Sequence, residues 1–125
     1  MGDLVNIRIS SDADKVAELL KRRYYFPTNT AVYRFAMAYA IRDFKDELVS
    51  NYEHLDNSYP SDGTNLNVGT VDNNQNLLKQ LIPILVPECS TPYRFVRVAI
   101  ILGLYKIKQM IDEDNNVDII QQILK

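Results

Sequence analysis

The same order of elements is predicted twice along this chain of 125 residues, with a displacement of about 60 residues between the copies. Each copy begins with alternating apolar and polar residues, which is typical of a half-buried strand, and continues into two helical patterns. The tripeptide Tyr-Arg-Phe occurs at 33–35 and again at 93–95, near the start of the second predicted helix of each copy. The sequence therefore predicts an internal duplication of a strand–helix–helix unit.

This duplication predicts a mainly α-helical single domain, residues 1–125, with two short β-strands. We expect a first strand–helix–helix half at 5–48, a linker at 49–64, a second half at 65–112 and a C-terminal helix at 115–125. Neither half is expected to be stable when folded alone, because a short strand has unpaired edges and a helix pair has an uncovered apolar face. The two halves are therefore expected to share one core.

Local signals place the helix boundaries. Ser11 stands three residues before Asp14 and opens the first helix, which Pro27 ends. The second helix is expected at about 31–48, and the polar stretch after it lacks an apolar period, which indicates the linker. In the tail, one face is expected to carry Val117, Ile120 and Leu124. The remaining cap candidates are Thr28, Asn29, Thr30, Asp72, Ser90 and Thr91.

Composition and charge bound the function. The formal net charge of −2 argues against a protein that coats nucleic acid by bulk charge, although a local basic face is compatible with it. The sequence shows no secretory signal pattern, and charged residues interrupt its most apolar segment before it reaches the length of a membrane span. We expect a cytoplasmic protein that does not insert into a membrane.

Catalytic patterns are poorly represented. His54 is the single histidine, and Cys89 is the single cysteine. The sequence contains no glycine-rich phosphate loop, no pair of Cys-x-x-Cys motifs and no nucleophile elbow. We therefore expect a binding protein that is not an enzyme and that has no metal and no cofactor.

The first candidate binding surface is the outer face of the paired strands. If the strands form a ribbon, Asn6, Arg8 and Ser10 project away from the apolar side chains between them, and Asn65 and Asn67 are their counterparts. A two-stranded ribbon fits the major groove of DNA, where asparagine can pair with adenine and arginine with guanine. The alternative is an ordinary solvated sheet face.

Other candidate residues are basic or lie at helix starts. The sequence indicates phosphate contacts by the cluster at the end of the first helix, by the hydroxyls and amides at the start of the second helix, and by an arginine in each apolar helix. The alternatives are a solvated helix face, ordinary helix caps and internal ion pairs. These residues are Lys21, Arg22, Arg23, Thr28, Asn29, Thr30, Arg34 and Arg94.

Two family resemblances sharpen this prediction. The pattern of residues 5–44 resembles the ribbon–helix–helix family, in which two copies pair their strands and interlock their helices; here the second copy is expected at 65–111. The order of short motifs over 5–112 also looks like the DndE family, the small components of bacterial DNA sulfur-modification systems. These motifs are Ile9-Ser10, Pro27-Thr28-Asn29, Asp62-Gly63-Thr64 and the final apolar helix, with Pro-Thr-Asn standing where the family has Thr-Pro-Asn.

The resemblance implies a DNA-binding, non-catalytic component of a DNA phosphorothioate modification system, acting on duplex or nicked DNA beside other modification proteins. Two alternatives stay open. A ribbon–helix–helix repressor or antitoxin would bind one operator sequence, and a protein interaction module would bind no DNA. Because the second and fourth helices have more apolar faces than one small core needs, we also expect a homo-oligomer.

Overall fold

A computed structural model of the chain describes residues 2–72, 77–87 and 89–124. Parts of the predicted domain at 1, 73–76 and 88, and the last residue of the predicted C-terminal helix, Lys125, lie outside the described residues. The described elements confirm the prediction of a mainly helical fold with two short strands. In chain order they are β1 (Asn6–Arg8), α1 (Ser11–Tyr24), α2 (Asn29–Asp43), α3 (Lys45–Ser58), β2 (Asn65–Asn67), α4 (Val68–Val71), α5 (Leu77–Leu85), α6 (Pro92–Glu113) and α7 (Ile119–Leu124).

The two strands pair into an antiparallel ribbon. Ile7 lies opposite Leu66 at the centre of the ribbon, and both side chains face the helices, Ile7 fully buried and Leu66 partly buried. Alternation along each strand therefore turns the flanking residues toward solvent.

A glycine turn fastens the ribbon to α1. The Gly63 N–H donates to the Ile9 carbonyl at 2.7 Å, and a Cβ on Gly63 would lie 2.4 Å from Asp14 Oδ2 and 2.5 Å from that carbonyl oxygen. A side chain at position 63 is thus excluded by the close approach of the two chains. Beside it, the backbone N–H and hydroxyl of Ser11 donate to the Asp62 carboxylate and lower the pKa of that group.

The core is organised around α6, which packs against α2, α3, α1 and α5. The closest approach is to α2, where a Cβ on Gly103 would lie 2.1 Å from the Ala36 carbonyl oxygen. Because glycine has no Cβ, the two helix backbones come into direct contact at this point. The apolar faces of α2 and α6 are covered within the chain, so the reason given above for expecting an oligomer is wrong.

The second helix is present as predicted, but its predicted end at 48 and the predicted linker at 49–64 are wrong. The helical pattern breaks at Phe44, which has φ −129° and ψ 29°, and whose ring packs edge-on against Tyr39 at 5.4 Å between centroids. The segment expected as a linker is mostly α3, which turns Leu48 and Tyr52 into the core and packs Leu55 against it. The chain therefore passes from α2 to β2 through α3, a helix with one apolar face.

The structure does not confirm the tandem ribbon–helix–helix duplication. Ser10 leads β1 directly into a helix of 14 residues, whereas β2 leads into the four-residue α4. In a duplicated fold, a two-fold axis through the ribbon would place Arg34 and Arg94 at opposite ends of the ribbon. The two arginines instead lie at the same end, where the Val68 N–H donates to the Val5 carbonyl. Arg34 contacts Thr70 beyond this end, and Arg94 contacts Gly2 beyond the same end.

The C-terminal helix begins at Ile119 rather than at 115. It buries Ile119 and Ile123, and Leu124 is 67% exposed, so the apolar face predicted for the tail is wrong. Within the described ranges, none of the helices combines the length and apolar character needed to cross a bilayer.

Candidate nucleic-acid interface

The outer face of the ribbon presents four exposed polar side chains. The register pairs Asn6 with Asn67 and Arg8 with Asn65, and all four residues are exposed. Arg8 Nη1 donates to the Gly63 carbonyl at 3.3 Å. The other N–H donors of its guanidinium have no partner among the described residues. Three amide groups and one guanidinium thus lie together on the exposed face of the two-stranded ribbon.

Ser10 does not belong to this surface, so its predicted place beside Asn6 and Arg8 is wrong. It is 1% exposed, and its hydroxyl caps α1 by accepting from the Ala13 N–H at 3.2 Å. The same oxygen lies 2.7 Å from the hydroxyl of Tyr105 on α6. The strand ends before position 10, and the side chain turns inward to begin the helix.

Beneath the ribbon lies a buried arginine that the sequence analysis did not single out. Arg97 on α6 is 3% exposed, and its Nη1 lies 2.9 Å from Asp56 Oδ1 on α3. Its Nε donates to the Arg8 carbonyl at 2.8 Å, and Nη2 donates to the carbonyls of Tyr59 and Pro60 at 3.0 and 2.9 Å. Arg97 therefore ties β1 to α3 and to the segment that follows α3.

The Asp56 carboxylate is shared between two arginines. Its second oxygen accepts from Arg94 Nη1 at 3.0 Å. A depression of about 250 Å³ beside the ribbon contains this group, and three arginines face one aspartate across it. Its lining includes Asn6, Arg8, Asp56, Asn57, Arg94 and Arg97. The surface next to the polar ribbon face is thus locally positive, in contrast to the chain as a whole.

The start of α6 is capped by a residue from the N-terminal segment. The Asp3 carboxylate accepts from the Tyr93 N–H at 2.9 Å and from the Arg94 N–H at 3.1 Å. Thr91 holds the predicted cap position before Pro92, but its side chain makes no cap hydrogen bond. The first turn of α6 is satisfied by a distant carboxylate instead.

Arg34 is also engaged within the chain. Its Nη2 donates to the Thr70 carbonyl at 2.7 Å, and its Nε donates to the Val71 carbonyl at 3.2 Å. These contacts join α2 to α4. The two arginines of the repeated tripeptide therefore have different partners, backbone carbonyls for Arg34 and Asp56 with the Gly2 carbonyl for Arg94.

The basic cluster lies at the far end of α1 from the ribbon. An α-helix rises about 1.5 Å per residue, so the cluster lies roughly 15–18 Å along α1 from Ser11. Arg23 donates to the Asn115 and Val117 carbonyls and holds the segment before α7. Lys21 is partly buried and Arg22 is exposed. The ribbon face and this cluster are therefore two separate places.

The start of α2 lies next to that cluster in the chain. Thr28 Oγ1 accepts from the Ala31 N–H at 3.1 Å, which assigns the cap to Thr28. Asn29 is partly buried, and its Oδ1 has no hydrogen-bond partner in the part of the chain that the structure describes. Thr30 is partly buried in the first turn. None of these three side chains is near the ribbon in sequence.

Two tyrosines of the repeated tripeptide make matching contacts. Tyr33 donates its hydroxyl to Asp14 at 2.8 Å, and Tyr93 donates to Asp72 at 2.9 Å. Burial and then the neighbouring aspartate raise the pKa of both phenols, that of Tyr93 to about 12. Both phenols therefore act as hydrogen-bond donors that hold aspartates near the strands.

Asp56 and Arg97 were missed for identifiable reasons. The polar composition around Asp56 predicts a linker, although Leu48, Tyr52 and Leu55 have the spacing of one helix face. The charge of Arg97 interrupts the most apolar segment of the sequence. A buried arginine requires a partner, and this requirement is the signal that predicts a carboxylate facing α6.

Comparisons with known proteins find no matching family model, curated protein or solved structure. Across the described residues, no group of three or more His, Cys, Asp or Glu side chains is placed to hold a metal ion.

Proposed function

We propose that this protein is a DNA-binding, non-catalytic protein that places the outer face of its ribbon in the major groove. The observation that carries the proposal is the joint exposure of Asn6, Arg8, Asn65 and Asn67 on one face of an antiparallel ribbon. Amide side chains form paired hydrogen bonds with adenine, and arginine forms them with guanine. Asn6, Arg8 and Asn65 match that chemistry, whereas the Asn67 amide oxygen already accepts from the Gly69 N–H at 2.8 Å and caps α4.

The buried side of the ribbon supports the same function. Readout requires a rigid support, because base contacts demand side chains that are already positioned. Arg97 holds the Arg8 carbonyl, and Ile7 anchors the strand in the core. The backbone that carries Arg8 is therefore fixed from below while its side chain stays exposed.

Charge sets the expected strength of binding. The ribbon face itself carries one arginine, and the chain has a net charge of −2, so few phosphates are neutralised on binding. Each neutralised phosphate contributes a slope of about −0.9 to the salt dependence of duplex affinity. We therefore expect a shallow salt dependence, of roughly two to three phosphates.

The resemblance to the DndE family supports a place in a DNA phosphorothioate modification system. In this role the protein presents or holds DNA while other proteins carry out the sulfur chemistry. Deleting the gene in its host should abolish phosphorothioate linkages, measured by mass spectrometry of digested genomic DNA. Complementation with the Arg8→Gln variant should restore them less well than complementation with the parent chain.

Binding itself is tested by fluorescence anisotropy with labelled duplexes and random competitor over a series of salt concentrations. Arg8→Gln should weaken binding by about 5- to 100-fold, because one paired contact to a base is lost. Lys79→Gln removes one exposed positive charge from α5 and is the matched control, expected to change affinity little. Absence of binding by the parent chain at low salt would exclude the proposal. A strong preference for one sequence would favour the repressor alternative.

A second candidate function is association through α5. Leu77, Leu81, Ile84 and Leu85 are 52%, 40%, 72% and 44% exposed, and their spacing places them on one side of the helix. A groove of about 460 Å³ continues this apolar surface between α5 and α3. We propose a second copy of this chain as the occupant, because one apolar helix stripe is self-complementary across a two-fold axis.

A further inference from the structure

Tyr25, directly after α1, has a backbone conformation that its side chain does not favour. Its φ of 60° and ψ of 35° lie in the left-handed region, and among the described residues it is the one non-glycine residue with positive φ. Glycine or asparagine is favoured after a helix in this conformation, because a Cβ crowds the backbone there. The turn therefore does not explain why a bulky aromatic residue stands at this position.

Packing does not explain it either. The ring of Phe26 packs on Phe35 at 5.4 Å between centroids, and the hydroxyl of Tyr24 donates to the Val117 carbonyl at 3.0 Å. Both neighbours thus contribute to the fold, whereas Tyr25 is 89% exposed. A large aromatic side chain in a strained and exposed position contributes little to stability, and such strain is concentrated at functional sites.

The last turn of α1, directly before Tyr25, carries three basic side chains. Lys21 and Arg22 occupy the last turn of α1, and neither side chain forms an ion pair or hydrogen bond with another described residue. Arg23 next to them is engaged with backbone carbonyls and lies 5.5 Å from the ring centre of Tyr24. Two cations whose side chains have no partner among the described residues therefore lie within four residues of Tyr25 in the chain.

We propose that Tyr25, Lys21 and Arg22 form a stacking site for an unpaired nucleotide. An exposed ring stacks on the face of a base in a sequence-tolerant way, and adjacent cations contact the phosphates on either side. A base inside a duplex has no free face, so the ligand class is single-stranded nucleic acid or an unpaired end. A protein partner fits less well, because interface hot spots lie within larger packed and water-excluding surfaces.

This inference rests on the proposed DNA-binding function but uses a different place on the molecule. The stacking site lies at the end of α1, roughly 20 Å along the helix from Ser11, where α1 begins close to the ribbon. Contacts at the two places are therefore separable by mutation. A strand bound at Tyr25 can continue from a duplex held at the ribbon.

The chain contains no tryptophan, which makes a direct optical test available. Tyr25→Trp introduces a single indole, and titration with ten-nucleotide oligo(dT) at low salt should quench its fluorescence. Leu124→Trp places an indole at a site that is 67% exposed on α7 and is the matched control, expected to change little. Quenching of both indoles to the same extent would overturn the proposal. A blue shift of the Tyr25→Trp indole on anionic vesicles without quenching by oligo(dT) would assign the site to membranes instead.

Affinity measurements with the tyrosine variants separate stacking from folding. Tyr25→Phe keeps the ring and should bind oligo(dT) like the parent, whereas Tyr25→Gly should bind about 5- to 100-fold more weakly. Because glycine relieves the positive φ, this variant should fold at least as well as the parent, which thermal unfolding will check. Arg8→Gln should leave oligo(dT) binding unchanged while weakening duplex binding. Equal affinity of Tyr25→Gly and the parent, or no binding of oligo(dT) by the parent, would overturn the stacking site and leave the ribbon proposal standing.

Discussion

Arg97 and Asp56 form an ion pair of 2.9 Å between Nη1 and Oδ1, with both side chains less than a tenth exposed. The pair joins α6 to α3, and further donors of the same arginine hold the backbone of β1. Buried ion pairs contribute little net stability when they are intact, but removing one partner leaves an uncompensated charge in the interior. The geometry of the ribbon depends on this pair.

Asp56→Ala should lower the free energy of unfolding by about 3–5 kcal/mol, because it leaves Arg97 without its carboxylate. The control is Asp43→Ala, which breaks an exposed pair with Arg42 and should cost at most about 1 kcal/mol. Urea denaturation followed by circular dichroism measures both values. Equal losses in the two variants would show that Asp56 contributes no more than a surface charge.

Gly103→Ala should destabilise the protein by at least about 2–3 kcal/mol, although alanine is the better helix former. The added Cβ would lie 2.1 Å from the Ala36 carbonyl oxygen, so α2 and α6 must separate. Gly2→Ala has nothing within 4 Å of the added Cβ and should be neutral in the same urea titration. A Gly103→Ala protein as stable as the parent would contradict the close contact of the two helices.

Ser10→Ala should lower stability by about 1–3 kcal/mol, since it removes the α1 cap and the hydrogen bond with Tyr105. Ser58→Ala removes an exposed hydroxyl at the end of α3 and should cost less than about 0.5 kcal/mol. Duplex affinity measured well below the unfolding temperature should be the same for Ser10→Ala and the parent. Weaker binding by the fully folded variant would return Ser10 to the DNA-contacting surface.

Stability should fall at alkaline pH. Burial raises the pKa of Tyr52 and Tyr93 to about 12 in the folded protein, compared with about 10 in an unfolded chain. Between these values the unfolded state has lost the protons that the folded state keeps, so stability is fully present below about pH 10 and falls as the pH rises toward 12. Thermal unfolding between pH 8 and 11.5, with absorbance at 295 nm reporting phenolate, checks this. A melting temperature that is constant over that range would contradict the effect.

Ile84→Glu should convert any dimer of the chain to monomer without destabilising the fold, because the side chain is 72% exposed. Leu124→Glu introduces the same charge at a site on α7 that is 67% exposed, and should leave the association unchanged. Sedimentation velocity over a range of protein concentrations measures both. A parent chain that is monomeric at high concentration would remove the proposed self-association through α5.

Local signals predicted the parts of the fold that depend on neighbouring residues. The alternation around Ile7, the turn at Pro27 and a helix cap within Thr28-Asn29-Thr30 are all present, because each depends on a few adjacent side chains. The break at Phe44 was not predictable in this way, since no proline or glycine marks it and the ring is held by Tyr39. Tertiary contacts decided the end of that helix.

In the candidate site, too, the residues placed by local sequence pattern were predicted, and those placed by contacts distant in the chain were not. The exposure of Asn6 and Arg8 followed from strand alternation. The inward turn of Ser10 depends on Tyr105, which is 95 residues away in the chain, so strand period alone extended the face too far. Asp56 and Arg97 meet across two helices, and the pairing of such distant positions is not contained in any local pattern.

Arg97 also has a consequence for the order in which the molecule is assembled. It reaches back 89 residues to the Arg8 carbonyl and 37 residues to the Pro60 carbonyl. Both strands, which end at Arg8 and Asn67, are therefore synthesised before the arginine that supports them. The surface proposed to read DNA is completed only when the last third of the polypeptide has docked, so truncated products would lack a finished binding face.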